Sequence, residues 1–216
     1  MLLKTGISFS CATCGHTLAF KSETASALVC PVCQSVNRRA TLDIAELKKT
    51  DPVKEDMSII RVGATGQYQG IAFEVIGRVQ HFLSQGYRNH WYVITGKGEE
   101  MWLGEWAGNY SFFKETQAPS ESALKKVRPG QKIQLANITF QVELVEQQQE
   151  SYIEGEVPDY HTNEHGYIRV ELLQPENFGM AVVNIFARNR AQLLVGQYQY
   201  FADLKLQHLR GHHDWI

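Results

Sequence analysis

Two stretches of this chain decide its fold, IRVGATGQYQGIAFEV at residues 60–75 and VRPGQKIQLANITFQV at residues 127–142. They align without a gap at an offset of 67 residues, and the identical pairs are Arg61/Arg128, Gly63/Gly130, Gln67/Gln134, Ile71/Ile138, Phe73/Phe140 and Val75/Val142. In both, Ile-x-Phe-x-Val alternates at period two, which places three apolar side chains on one face of a strand. The pairs before this motif, Gln69-Gly70 and Ala136-Asn137, suit a tight turn. The repeat predicts a duplicated unit of short strand, turn and long buried strand.

The sequence after each copy continues as strands. NHWYVIT, EEMWLGEW and YSFFKE follow the first copy and are separated by glycine turns, with Trp102 and Trp106 on one face and Met101 and Leu103 on the other. The second copy carries a polar insertion before its last strands. We therefore expect a mostly β fold, with an N-terminal zinc ribbon and two repeated small curved β-sheets or half-barrels. A few short helices are expected, near 119–126 and 202–209.

This organisation divides the chain into four segments. The predicted boundaries are a zinc ribbon at 1–40, a linker at 41–58, a first β unit at 59–116, and a second β unit with a polar insertion and a C-terminal tail at 117–216.

All four cysteines fall near the N-terminus, as Cys11-Ala-Thr-Cys14 and Cys30-Pro-Val-Cys33. The spacing C-x2-C-x15-C-x2-C is typical of a site in which four thiolates bind one zinc ion. Iron held in the same way is the main alternative, and two disulfides or a redox-active pair are weaker ones. Because four thiolates leave no open position for substrate, we expect a structural Zn²⁺ and not a catalytic one.

Composition and charge exclude several classes of protein. The chain has 216 residues, 44% of them hydrophobic and 20% charged, which excludes a disordered or membrane-embedded protein. Its formal net charge is −2, divided as +3 over residues 1–50 and −5 over residues 51–216. Only the ribbon, with Arg38 and Arg39, offers a modest basic patch, so nucleic-acid binding is possible but disfavoured. The N-terminus lacks the apolar run of a secretory signal, which favours a cytoplasmic location.

The glycine and aromatic motifs of the body resemble a known family. G-x-x-G-x-Y-x-G-x-x-F-x-V-I-G-R (63–78), W-Y-V-I (91–94), W-L-G-E (102–105) and G-x-Y (108–110) are similar to the bacterial domain of unknown function 4178 family. The later motif at 130–142 and Glu154-Gly155-Glu156-Val157-Pro158 resemble its second half, and a zinc ribbon in front is common there. The resemblance implies a bacterial cytoplasmic protein encoded beside membrane-stress proteins and polyamine-synthase-like enzymes. It supplies no catalytic residues.

Residues 143–176 hold the strongest charge bias, with nine acidic residues against the single base Arg169. A solvated hairpin face would explain it, and so would a docking surface for a basic protein segment or a polyamine. The candidate contact residues are Glu150, Glu154 and Glu156.

A second motif, His161-Thr-Asn-Glu164-His165, matches the H-x-x-E-H pattern of inverted zinc peptidases. That chemistry needs a helix, but Pro158 precedes the motif and Gly166 follows it. A metal-dependent hydrolase is therefore the least favoured reading. We expect a non-enzymatic accessory or adaptor protein that docks other proteins of a bacterial stress system, with a nucleic-acid-associated zinc-ribbon protein as the alternative.

Overall fold

The computed structural model describes residues 6–39, 49–118, 126–148, 151–158, 166–174, 176–186 and 190–211, and the structure is mostly β, with 59% strand and 2% helix. The strands are β1 Ser8–Ser10, β2 Thr17–Ala19, β3 Ala27–Val29, β4 Val36–Arg38, β5 Thr65–Tyr68, β6 Ile71–Leu83, β7 Gly86–Thr95, β8 Glu100–Trp106, β9 Asn109–Thr116, β10 Lys132–Leu135, β11 Ile138–Gln148, β12 Ser151–Val157, β13 Tyr167–Gln174, β14 Gly179–Phe186 and β15 Arg190–Gln199. A single helical turn, α1 Phe201–Leu204, follows them. The predicted mostly β fold is confirmed.

The two copies of the repeat form the same hairpin, β5–β6 in the first copy and β10–β11 in the second. The N–H of Gly63 donates to the carbonyl of Val75, and the N–H of Gly130 donates to that of Val142, both at 2.8 Å. The long strand β6 then has a bulge between Val75 and Gly77, and β11 has one 67 residues later. The duplicated unit is confirmed, and both its hairpin and its bulge occur at equivalent positions in the two copies.

Both hairpins close with two residues in the left-handed conformation. The φ angles are 50° and 77° at Gln69 and Gly70, and 49° and 63° at Ala136 and Asn137. Two successive left-handed residues make the type I′ turn, whose twist matches that of the flanking strands. The sequence placed both turns correctly.

One continuous sheet joins the two copies. Among the described residues, thirteen strands pair in the order β10-β11-β13-β14-β15-β9-β8-β7-β6-β12-β3-β4, with β5 also beside β6. The antiparallel pair β9–β15 connects the copies edge to edge, and the sheet is open and not closed into a barrel. Strands β1 and β2 form a separate two-stranded sheet.

Each copy curves around its own apolar core. In the first copy, Tyr68 on β5 stacks on Phe112 on β9 at 4.2 Å, although three strands lie between β5 and β9 in the sheet. That core also contains Phe73, Val75 and Trp91. The second copy encloses an equivalent cluster, which includes Val127, Leu135, Phe140, Val142, Val170 and Leu172. The prediction of two repeated curved units is confirmed.

A third apolar cluster lies on the opposite face of the sheet and is shared by both copies and the ribbon. It contains Trp102 of the first copy, Val182 of the second and Phe20 of the ribbon. Met101 and Leu103, the neighbours of Trp102, belong instead to the core of the first copy, as their alternation predicted. The ribbon therefore packs against this face of the sheet, and both faces of β8 are covered.

Strand β12 links the second copy to the first copy and the ribbon. It follows β11 in the chain, but it pairs with β6 on one side and with β3 on the other. A Cβ atom at Gly77 of β6 would lie 1.8 Å from the carbonyl oxygen of Glu156, and one at Gly155 would lie 2.4 Å from that of Ile76. Glycine is required at both positions because the two backbones approach so closely.

The predicted linker lies partly outside the described residues, which omit 40–48. Its later part follows the sheet, since the N–H of Lys54 donates to Gln80 Oε1 at 2.7 Å and Ser58 Oγ donates to Glu105 Oε2 at 2.6 Å. The four predicted segment boundaries stay a prediction.

The expected short helices are only partly visible. Residues 119–125 lie outside the described residues, and the expected helix at 202–209 is limited to α1, after which Gln207 forms a β-bridge with Thr65. Within the described residues, no helix is long and apolar enough to cross a membrane.

Candidate metal centre

The four cysteines converge on one point. Their sulfur atoms all lie within 4.8 Å of one another, and the pairs Cys11–Cys33 and Cys14–Cys30 are each 3.6 Å apart. A tetrahedral zinc ion with Zn–S bonds of about 2.3 Å separates its sulfurs by roughly 3.8 Å. The sulfurs are unbonded and too far apart for disulfides, whose S–S length is about 2.05 Å. The set therefore fits a single ion, and the structure does not identify the metal.

Two equivalent turns present these sulfurs. The N–H of Gly15 donates to the Cys11 carbonyl at 2.8 Å, and the N–H of Gln34 donates to the Cys30 carbonyl at 3.0 Å. Both donors are left-handed, with φ of 75° at Gly15 and 61° at Gln34. Each C-x2-C pair thus sits on a tight turn between two short strands, as the spacing predicted.

Without a cation the thiols of Cys33 and Cys14 have very different pKa values. Hydrogen bonds from the side chain and backbone of Ser35 lower the pKa of Cys33 to about 6. The pKa of Cys14 rises to about 12: the backbone of His16 lowers it, but desolvation and hydrogen bonds with the neighbouring sulfurs outweigh that effect. Because crowded thiolates repel one another, ionisation of all four requires a positive ion between them.

Two carboxylates from the sheet hold the ribbon loop at residues 21–24. Glu156 on β12 accepts the backbone N–H of Lys21 at 2.8 Å and that of Ser22 at 2.9 Å. Glu100 on β8 accepts Ser22 Oγ–H at 2.6 Å and the N–H of Glu23 at 2.7 Å. The ribbon is therefore attached by specific hydrogen bonds in addition to the β3–β12 pairing.

The two carboxylates respond differently to burial. Desolvation raises the pKa of Glu156, and the backbone hydrogen bonds offset this only in part. Desolvation also acts on Glu100, but hydrogen bonds from Ser22, Thr24 and Tyr92 outweigh it, so its pKa is lowered. No sequence pattern marks Glu100 as a contact of the ribbon, since its ribbon partners lie more than 70 positions away in the chain.

The predicted acidic partner surface needs a correction. Glu156 is only 3% exposed and is used by the ribbon loop, so its assignment as a contact residue is wrong. Glu154 is half-buried; desolvation raises the pKa of its carboxyl group, while Arg78 and Arg210 lower it. Glu150 lies outside the described residues. A buried carboxylate cannot meet a partner in solution, whatever its place in an acidic segment.

The other predicted site residues contribute little to a described site. His161, Glu164 and His165 lie outside the described residues. Among the residues described, the four cysteines form the only cluster of potential metal ligands. Arg39, half of the expected basic patch, is 7% exposed: its guanidinium lies 4.3 Å from the centre of the Phe20 ring. It is therefore not available to bind phosphate.

Comparisons with family models, with curated proteins and with solved structures found no match for this chain. The resemblance to the domain of unknown function 4178 family stays a prediction.

Proposed function

We propose that this chain is a non-enzymatic cytoplasmic accessory protein that docks other proteins of a bacterial membrane-stress system. In this proposal a structural Zn²⁺ stabilises the fold of the ribbon, and the ribbon packs on the duplicated sheet and stabilises it. The sheet presents the surface that contacts other proteins. A closed four-thiolate site supports a structural role for the metal, since it leaves no position for substrate. The compartment and the class of partner rest on the family resemblance.

One observation carries the docking proposal. Phe178, in the turn before β14, has a left-handed φ of 58° and is 67% exposed. A bulky side chain is strained in this conformation, where glycine or asparagine is favoured, and an exposed ring returns little packing energy. Strain kept without burial points to a function at the surface.

A second exposed ring extends this surface. The N–H of Tyr198 donates to the Phe178 carbonyl at 3.1 Å, and Tyr200, two residues later, is 79% exposed. Exposed aromatic rings are enriched where proteins bind one another, because they bury a large area at low entropic cost. We define Phe178 and Tyr200 as the aromatic docking surface.

The test separates binding from folding. Phe178→Asn should leave the free energy of unfolding unchanged or raise it by up to about 1 kcal/mol, because asparagine tolerates a left-handed φ. A photo-crosslinking residue at 178 should capture partner proteins in cells, and the same residue at the exposed Met57 should not. Equal crosslinking at both positions, or crosslinks to nucleic acid alone, would contradict the proposal.

The metal is tested separately by elemental analysis. We expect one zinc per chain, unchanged when His161 and His165 are both replaced by alanine. Iron in place of zinc would identify the alternative metal. A second ion that is lost in the double variant would favour the metal-dependent hydrolase.

A further inference from the structure

The first copy of the repeat holds an additional extended segment at the outer edge of β5. Gln207, beyond α1, forms an antiparallel bridge with Thr65. The N–H of Thr65 donates to the Gln207 carbonyl at 3.1 Å, and the N–H of Gln207 donates to the Thr65 carbonyl at 2.8 Å. Arg61 Nε donates to the carbonyl of the next residue, His208, at 2.9 Å. Backbone hydrogen bonds and one arginine therefore bind a segment at this edge.

The second copy has the same edge without such a segment. At the repeat offset of 67, Thr65 corresponds to Lys132 on β10, and Arg61 corresponds to Arg128. Strand β10 lies at the end of the sheet, and among the described residues no strand or bridge pairs with its outer edge. Lys132 is exposed, whereas Thr65 is half-buried. The edge that binds a segment in the first copy is open in the second.

The hairpin geometry shows which backbone groups of β10 are open. The N–H of Val142 donates to the Gln131 carbonyl at 2.8 Å, toward β11. Because successive residues of an antiparallel strand direct their backbone groups to opposite sides, the N–H and carbonyl of Lys132 face outward, as those of Thr65 do. Within the described ranges, Arg128 donates only through its backbone N–H, to Gln131 Oε1 at 3.2 Å. An unpaired edge of this kind is a template for a further strand.

The likeness between the copies stops at the helical turn α1. A Cβ atom at Gly66 would lie 2.7 Å from the carbonyl oxygen of Leu204, so glycine at this position makes room for α1. The equivalent residue of the second copy is Ile133, which is half-buried against the core of that copy. The second copy can therefore accept a strand beside β10, but not a helical turn before it.

The charge at this edge differs from that of the first copy. Residues 126–142 contain three bases and no acid, whereas the equivalent residues 59–75 contain one of each. The bases are Lys126, Arg128 and Lys132, all exposed, and none forms an ion pair among the described residues. Glu143, the next residue of β11, accepts a hydrogen bond from Gln141 Nε2 at 3.1 Å. With Glu143 counted, the hairpin still carries a net charge of about +2.

This charge selects among the possible occupants. A second copy of β10 would bring the same lysines against this edge, and lysine on an edge strand opposes such self-pairing. Nucleic acid is a poor match, because its binding rests on many phosphate contacts and the body of the chain is acidic. An acidic peptide strand complements both the open backbone groups and the charge.

We propose that the outer edge of β10 binds an acidic, extended segment of a partner protein as an added antiparallel strand. The backbone of the segment pairs with Lys132, and Arg128 donates to one of its carbonyls, as Arg61 does to that of His208. Affinity in this mode comes from main-chain hydrogen bonds, and specificity comes from the side chains. The inference names a partner class for the docking function proposed above and rests on it, but it uses other residues than the aromatic docking surface.

The experiment uses the full-length zinc-loaded protein and, as the probe, a blocked heptapeptide of alternating glutamate and valine. Titration followed by amide resonances should give a Kd of about 1 mM or tighter. Lys132 and Gln134 should shift, and Thr65, whose edge is occupied, should not. The lysine–valine peptide should bind at least tenfold more weakly. So should a peptide of equal charge whose glutamates are separated by pairs of prolines, because it lacks most of the N–H donors.

Hydrogen exchange of the free protein tests whether the edge is open. The amide of Lys132 should be at least tenfold less protected than that of Thr65, and the acidic peptide should raise its protection. Equal protection of the two amides in the free protein would show that the edge is already covered and would overturn the proposal.

Two variants test the backbone and the side-chain contacts. Lys132→Pro removes an N–H that faces outward, and Arg128→Gln removes a guanidinium at an exposed position. Each should weaken binding of the acidic peptide at least fivefold, whereas Lys114→Gln, at an exposed cation of the first copy, should not. If Lys132→Pro does not fold, Arg128→Gln decides the outcome.

Three results would overturn the proposal: no binding to the wild-type protein, unchanged binding to Arg128→Gln, or tighter binding of a single-stranded oligonucleotide than of the acidic peptide. The docking function itself is tested separately. Peptide binding is measured on the purified protein, so it can fail while a photo-crosslinking residue at 178 still captures partner proteins in cells.

Discussion

The two copies of the repeat share a backbone but differ in what pairs with their long strands. In the first copy, the second half of β6 is covered by β12, which in turn carries the ribbon. In the second copy, β11 pairs within the described residues only with β10 and β13. Position 77 is glycine, where β12 crosses, and the equivalent position 144 is a half-buried leucine. Duplication supplied the framework, and the inserted strand made the copies different.

The same comparison applies to the place where the two copies meet. His90 pairs with Val79 across β6–β7, and Arg169 pairs with Glu146 across β11–β13, where 79 and 146 differ by the repeat offset of 67. His90 and Arg169 are therefore equivalent positions that meet between the copies, 2.9 Å apart. Framework positions such as Phe73 and Phe140 stayed identical, whereas the positions where the copies meet became a chemically asymmetric pair.

The largest effect should come from removing the metal. Cys11→Ser together with Cys30→Ser, or chelation, should unfold the ribbon, because metal binding supplies on the order of 10 kcal/mol to small zinc domains. Hydrogen exchange should then speed up in β3 and β12, while β13 and β14 keep their protection. Uniform loss of protection in both copies would show that the second copy also depends on the ribbon.

A smaller effect should separate the two bulge positions. Gly77→Ala places a Cβ against the backbone of β12 and should cost about 3 kcal/mol. Leu144→Ala, at the equivalent half-buried position, should cost under about 1.5 kcal/mol. Urea unfolding of both variants measures the difference, and equal losses would mean that β12 does not cross at Gly77.

The hairpins should respond alike to the loss of their leading glycine. Gly63 and Gly130 have φ of 90° and 84°, and a Cβ at either would meet nothing within 4 Å. Alanine at each position should therefore cost about 1–2 kcal/mol through backbone strain alone. Thermal unfolding of the two single variants checks this symmetry, and a cost confined to one copy would refute it.

The smallest effect should be a difference in pH dependence between the two carboxylates that hold the ribbon. The lowered pKa of Glu100 means that its stabilisation is present above the ordinary carboxyl value of 4.5 and is lost as the pH falls below it. The raised pKa of Glu156 acts in the opposite sense, since the folded protein loses stability as the pH rises from 4.5 through that raised value.

Glu100→Gln and Glu156→Gln should thus change the pH profile of stability in opposite directions, measured by denaturant unfolding at intervals from acid to neutral pH. The exposed Glu143 of the second copy, changed to glutamine, is the matched control. Parallel profiles for both variants would show that the carboxylates do not differ in this way.

Several features could be predicted from the sequence because their determinants are local. The period-two pattern around Phe73 and Phe140 identified the long strands, and the residue pairs before them identified the turns. The cysteine spacing identified the metal centre because two residues between thiols suffice for a turn that points both at one ion. In each case the determinant is local backbone geometry: the alternation of a strand, a two-residue turn, or a C-x2-C turn.

Only the tertiary structure decided which charged residues are buried. The sequence predicts surface positions for Glu156 and Arg39, yet Glu156 accepts the N–H of Ser22, 134 positions earlier, and Arg39 packs on Phe20. Arg169, the single base of an acidic segment, forms its key contact with His90, 79 positions away. Whether a charge is buried depends on partners that the fold brings together, and no local pattern records that pairing.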